Sequence, residues 1–240
     1  MKKEIAPLDC GDLRGEYRAA MIFEKILEVL DPEPHPAALN MAIDEVLLRR
    51  ATGPLIRVYR WARSAVSLGY FDRFGALDAA HRERELVRRW TGGGVVVHGD
   101  DVTYSVIVPA GHEFARLGPD ESYRRLHRCV AGAIEAAGVP TRLAETASPK
   151  RSPGCFENPA AADVLAGERK IAGAAQRRTR WGLLHQGSIQ GIALAADFAP
   201  RLACAFASEV VQQSLKSEEL ARAEGLAREK YATDAWLRRF

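Results

Sequence analysis

The chain has 240 residues, of which 47% are hydrophobic and 27% charged, with a net charge of +3, the balance of a globular domain rather than a disordered or fibrous chain. So slight a positive excess, with no long Lys/Arg block, argues against nucleic-acid binding, and no apolar run reaches the length that spans a bilayer. The four cysteines, Cys10, Cys129, Cys155 and Cys204, stand far apart without C-x-x-C or Cys/His ligand spacing, which argues against a zinc site or a disulfide framework and favours a cytoplasmic, reducing location.

Residues 1–20 are polar and aperiodic. They carry two lysines but no apolar core of a secretion signal, and they read as a flexible N-terminal tail ahead of a single domain over 21–240, with Met21 an alternative start. Phe23 to Leu30 is expected to be a strand, with a short helix as the competing reading, and ends at Asp31-Pro32-Glu33-Pro34. Leu39, Ile43, Val46 and Leu47 fall at helical spacing, closed by Gly53-Pro54. Leu55–Trp61 and Ala65–Leu68 read as two strands joined by a tight turn. Leu77–Leu86 reads as a charged surface helix, and Val87–Trp90, Val95–His98 and Val102–Val108 as strands. Residues 119–137 form the clearest helix, with Pro119, Asp120 and Glu121 in its first turn and Gly138 as its stop. Cys129 falls beside its apolar face as core filling. Strands are expected at Asp163–Leu165, Lys170–Ala174 and Leu183–Ile192, and helix from Asp197 to the end. Strands interrupted by two or three helices, without regular βαβ alternation, predict a mixed α+β domain.

Two segments carry the chemistry. In the first, Arg88-Arg89-Trp90-Thr91-Gly92-Gly93-Gly94 runs into Val95-Val96-Val97-His98. Three glycines beside a β-branched run weaken any strand, and their use is to let backbone N–H groups approach a ligand. Arg88 and Arg89 bring forked cationic donors to the same place. A hairpin turn beside a core strand would account for a bare Gly-Gly-Gly, but the pattern here is longer. In the second segment, Pro153 and Pro159 bracket Cys155. A lone cysteine is usually a small buried hydrophobe, whereas an irregular proline-held segment is where reactive groups concentrate. Fifteen positions on, Lys170 leads Ile171-Ala172-Gly173-Ala174-Ala175-Gln176. A lysine among charges is usually solvated, but one at the head of so apolar a strand can point into a cleft.

These motifs, R-R-x-T-G-G-G-x-V-x-H, then Gly167-Glu168-Arg169-Lys170-Ile171-Ala172-Gly173-Ala174-Ala175-Gln176, similar to the signature G-x-K-(I/V)-x-G-x-A-Q with one more residue between the first glycine and the lysine, then His185-Gln186-Gly187-Ser188, resemble the biotin/lipoate protein ligase and octanoyltransferase superfamily. The resemblance runs from about Asn40 to Lys230-Tyr231. It implies a catalytic domain of mixed, mostly antiparallel sheets flanked by helices. It also implies a substrate site formed by Arg88, Arg89, Gly92, Gly93, Gly94, His98, Asp163, Gly173, Ala174, His185 and Gly187, with no metal. Lipoate–protein ligases of this superfamily activate a free acid with ATP and Mg and need no cysteine. Octanoyltransferases take the acyl group from acyl carrier protein through a cysteine thioester and need no cofactor.

Cys155-Phe156-x-x-Pro159 resembles the nucleophile segment of the ligase-like octanoyltransferases, as does the spacing from His98 through Asp101 to Thr103-Tyr104-Ser105. The chain also leaves little room for the accessory domain that many ligases carry. Gly94 and Asp163 are the ligase-like choices, and Pro159-Ala160-Ala161-Ala162 lacks the polar and aromatic residues usual there. The expectation is an acyltransferase with Cys155 and Lys170 as its catalytic pair. Its partners would be acyl carrier protein and lipoyl-domain proteins, namely 2-oxoacid dehydrogenase E2 subunits and the glycine cleavage H protein. The alternatives are an ATP-dependent ligase and a non-catalytic lipoyl-ligand-binding subunit. Biotin ligase is a weaker competitor, because its arginine–glycine loop differs. His35, His81, His112 and His127 have no motif context and read as surface residues.

Overall fold

The computed structural model describes residue 10, residues 21–147 and residues 159–240. Cys155 and its neighbours therefore lie outside the described residues. In chain order the elements are β1 (Phe23–Leu30), α1 (Ala37–Arg50), β2 (Leu55–Tyr59), β3 (Ala65–Leu68), α2 (Ala79–Arg82), β4 (Glu85–Arg88), β5 (Val96–His98) and β6 (Val102–Pro109). They continue with α3 (Pro119–Ala136), β7 (Arg142–Leu143), β8 (Val164–Ala166), β9 (Arg169–Thr179), β10 (Gly182–Ile189), α4 (Phe198–Phe206), β11 (Ala207–Ser214), α5 (Ser217–Leu226) and α6 (Asp234–Leu237).

Among the described residues, eight strands form one sheet in the order β11-β1-β2-β6-β10-β9-β8-β7, and three form a second in the order β4-β3-β5. β1 lies parallel to β11 and β2, and β3 parallel to β4, while the other pairings are antiparallel. The expected mixed, mostly antiparallel α+β domain is the observed one. Strand alternation sends Ile56 and Val106 to one face, where they pack with Leu126, Val130 and Ile134 of α3 and Leu202 of α4. Leu55, Ile107 and Leu184 go to the other, against Met41, Ile43 and Leu47 of α1. Each face buries its apolar set under a helix, the ordinary solution for a two-sided sheet.

Four expectations are corrected. The charged stretch 77–86 supplies only the short α2, because Glu85 and Leu86 are drawn into β4 by parallel pairing with β3. The segment from Asp197 is not helical throughout. Residues Ala207–Ser214 form β11, held along its length by β1 from Phe23↔Ala207 to Leu30↔Ser214. Cys10 and Cys204 are joined in a disulfide with a Cα–Cα distance of 5.6 Å, so one point of the N-terminal segment is tied to α4. Linear spacing carries no information about such a long-range approach. Finally, His35 and His127 are buried rather than on the surface.

Candidate functional site

A cavity opens between the small sheet and the end of the large one. Met41, Tyr59, Trp61, Val96 and Ala175 give it an apolar wall, and Ser67, Arg89, His98 and Gln186 a polar one. The bare backbone of Gly173 and Gly187 completes the lining. Consecutive extended residues point to opposite sides of a sheet, which separates the two arginines. Arg89 reaches the cavity. Its Nη1 donates to the Ser67 carbonyl and hydroxyl at 2.9 and 2.8 Å, and its Nη2 to the carbonyls of Gly92 and Gly94 at 2.8 and 2.7 Å. In a trans peptide the N–H lies opposite the C=O, so the Gly93 and Val95 N–H groups turn away from Arg89.

Arg88 is not brought to the cavity. It is fully buried, and its donors are taken by the carbonyls of Gly69, Tyr70, Asp72, Trp236 and Leu237. It pins the loop after β3 to α6. Gly93 has a φ of 80°, a left-handed conformation that glycine adopts without penalty. Gly69 lets β3 approach this loop, since a Cβ there would fall 1.9 Å from the Gly93 oxygen.

His98 stacks on Trp61 with ring centroids 4.0 Å apart. Its Nε2 lies 2.8 Å from the Ser67 hydroxyl and its Nδ1 2.8 Å from Asp101. Asp101 also accepts from Thr103 and Ser188. Burial alone would raise the Asp101 carboxyl, but the His98 contact and the two hydroxyl donors outweigh it and hold it below the ordinary carboxylate range. The histidine is thereby fixed as a wall of the cavity.

Lys170 and Asp163 are both buried and pair at 2.8 Å. The amine lies against Gly173, where a Cβ would fall 2.4 Å from Cε and 2.6 Å from Nζ of Lys170. Lys170 is not itself one of the lining residues; its tip fills the space of the missing side chain, directly behind the Gly173 backbone that lines the cavity. Asp163 also accepts from the Tyr123 hydroxyl at 2.6 Å and the Ala160 N–H at 2.6 Å. Three donors on one buried carboxylate offset its desolvation. Ala174 lines the cavity, and its N–H is held at 3.0 Å by the Tyr123 hydroxyl.

His185 does not reach the cavity. It sits on the α3 face of β10 opposite Val106, with Nδ1 3.3 Å from Gln176 Nε2. Burial, and then the neighbouring His127, hold it well below the ordinary histidine range. Gly187 is bare because the Tyr104 ring crosses it, leaving a Cβ 2.4 Å from the hydroxyl. Among the described residues, Tyr104 Oη, His127 Nε2 and His185 Nε2 are buried and have no hydrogen-bond partner.

The sequence reading missed the polar support beneath the cavity. Arg57 is fully buried between Asp31 and Asp44. Asp44 also accepts from Gln186 Nε2 at 2.7 Å, and Gln186 Oε1 accepts from Thr91. Asp44 lies four residues after Asn40 on α1, and a polar pair on the inner side of a helix was the available signal. Tyr123 and His127 were equally legible, since they share with Leu126 and Val130 the stripe that faces the sheet. Among the described residues no cluster of His, Cys, Asp or Glu could hold a metal, and no helix is long and apolar enough to cross a membrane.

The family model described as the lipoyl protein ligase A/B catalytic domain matches residues 36–198, more than half of the chain. Octanoyltransferase LipM of Oceanobacillus iheyensis is 38% identical over 169 residues, covering 67% of this chain and 62% of that protein. Octanoyltransferase LipM of Exiguobacterium sibiricum is 32% identical over 219 residues, covering 83% and 77%. The match thus spans about three fifths of the first of these relatives. A crystal structure of lipoate-protein ligase A bound with ATP superposes with a TM-score of 0.72 at 20% identity, over 90% of this chain and 99% of that one. At that identity the likeness speaks for the fold.

Proposed function

Because the chain belongs to the lipoyl protein ligase A/B catalytic-domain family, we propose that it transfers an octanoyl group from acyl carrier protein to the lysine of a lipoyl domain in protein lipoylation. The observation that carries this reading is the Lys170–Asp163 pair, buried at the bare Gly173 backbone of a largely apolar cavity. The similarity to octanoyltransferases supports it. An alkyl chain suits the wall of Met41, Trp61, Val96 and Ala175, and a fixed cation suits a site where a thiolate forms and a carbonyl gains negative charge.

In this reading Cys155 is the nucleophile. Its thiolate attacks the carrier thioester, the new S–C bond forms as the carrier's S–C bond breaks, and the carrier sulfur leaves as a thiol with a proton taken from the Lys170 ammonium, which becomes the neutral amine. The Lys170 ammonium supports the thiolate, and backbone N–H groups of the Gly92-Gly93-Gly94 loop hold the developing oxyanion. The acceptor lysine amine then attacks the acyl group. Its N–C bond forms as the Cys155 S–C bond breaks, with Lys170 relaying the proton. Arg89 keeps the loop in shape, and His98 with Asp101 keeps the cavity wall in place. No cofactor enters this sequence, and a cytoplasmic site of action is part of the reading. The acceptors are lipoyl-domain proteins such as the 2-oxoacid dehydrogenase E2 subunits and the glycine cleavage H protein.

The test compares two donors, octanoyl carrier protein without nucleotide and free octanoate with ATP and Mg, and scores acylation of a lipoyl domain. Transfer from the carrier alone is expected. Transfer that requires ATP and free acid would assign the chain to the ligases instead.

A further inference from the structure

Tyr123 and His127 stand four residues apart on α3 and so project from one side of it. The Tyr123 hydroxyl donates to Asp163 Oδ1 and accepts the Ala174 N–H. Burial, with the Asp163 charge adding to it, keeps this hydroxyl well above the ordinary tyrosine range, so it remains a donor. His127 Nδ1 lies 2.7 Å from the Ala162 carbonyl oxygen. A carbonyl only accepts, so Nδ1 carries the proton. Ala162 has a left-handed φ of 66°, which a residue with a Cβ keeps only where its surroundings enforce it. It directly precedes Asp163. The two rings also brace each other, with centroids 4.1 Å apart.

We propose that Tyr123 and His127 are positioning residues for Lys170 and act through Asp163. Tyr123 fixes one carboxylate oxygen, and His127 fixes the left-handed Ala162 backbone that aims the carboxylate, so that the other oxygen holds the ammonium at Gly173. Neither side chain touches the reacting atoms. The kinetic consequence rests on the octanoyl-transfer reading above, whereas the placement of Lys170 does not.

The experiment uses the full chain with Tyr123→Phe, His127→Phe and His127→Asn. Asparagine keeps an N–H donor where His127 Nδ1 stands, while phenylalanine keeps the ring and loses the donor. Melting temperature is recorded for each variant. For Tyr123→Phe and His127→Phe, kcat is expected to fall about 10- to 100-fold, in line with displacements of up to ~1 Å at a reacting group. KM for donor and acceptor should hold, and His127→Asn should stay close to wild type.

A second arm assumes no reaction. Acetylation by N-hydroxysuccinimidyl acetate is followed at Lys170 and at the exposed Lys25 by peptide mass spectrometry. The Lys170 rate should change in the two phenylalanine variants and not in His127→Asn, while Lys25 is unaffected in all. Unchanged Lys170 labelling in both phenylalanine variants, or His127→Asn behaving like His127→Phe, overturns the proposal. If His127→Phe does not fold, Tyr123→Phe carries the test. A wild-type chain that fails to transfer without ATP would sink the octanoyl-transfer reading, and the labelling arm would still decide the positioning.

Discussion

Gly173→Ala isolates the contribution of the Lys170 amine. The added Cβ would sit 2.4 Å from Lys170 Cε, and ordinary contact begins at about 3.4 Å, so the end of the lysine must retreat by about 1 Å. Those atoms are the flexible tip of a side chain, so the fold can accommodate the change. Alanine also restricts the unfolded chain and so offsets part of any strain. A net change within about 1 kcal/mol moves the melting temperature by only ~2–4 °C at this size. The reaction is less tolerant, because a misplacement of ~1 Å at a reacting group costs about 100-fold.

Steady-state transfer to a lipoyl domain from octanoyl and butyryl carrier proteins gives the readout. Gly111→Ala, where no atom lies within 4 Å of the new methyl, serves as the control. An equal loss of kcat with both donors is expected. If the butyryl donor escapes the loss, the methyl is simply occluding the cavity. If kcat is unchanged with both donors, Lys170 has no part in the reaction at this position.

Arg88→Met should leave the cavity intact and cost at least about 3 kcal/mol, since it strips charged donors from five backbone carbonyls. Urea unfolding measures this, and a loss of activity without a loss of stability would contradict the structural role. His127 titrates at about 4 in the folded chain because burial excludes its charged form, against an ordinary 6.5. The unfolded chain therefore takes up the proton first. Stability from this group is complete above about pH 6.5, falls as pH drops toward 4 and levels below, a span of roughly 3 kcal/mol. Unfolding free energies between pH 7 and 4 should show that slope, and His127→Phe should flatten it.

The legible parts of this sequence were those set by local chemistry. Pro119 and Gly138 bracketed α3, and the glycines marked the loop that Arg89 clasps. What escaped depends on long-range partners. β11 reads ASEVVQQS, which is too polar to declare itself a strand, and it becomes one because β1 lies beside it. Arg88 and Arg89 are indistinguishable as letters. Which of two adjacent extended residues faces the ligand is a question of register, and only one can. The Cys10–Cys204 bond and the Arg57–Asp44–Gln186 support likewise join residues that sequence separation hides. A lysine at the head of an apolar strand can point into a cleft, but nothing local in the sequence shows that Lys170 pairs with Asp163, seven residues earlier, as it does at 2.8 Å.

The account stands most directly on a covalent intermediate. Wild-type protein is incubated with octanoyl carrier protein in the absence of nucleotide, quenched in acid and digested. The prediction is a hydroxylamine-labile octanoyl group on the peptide that contains Cys155, absent from Cys155→Ala. If no acyl-enzyme is found while Cys155→Ala acylates lipoyl domains at the wild-type rate, the central claim is contradicted.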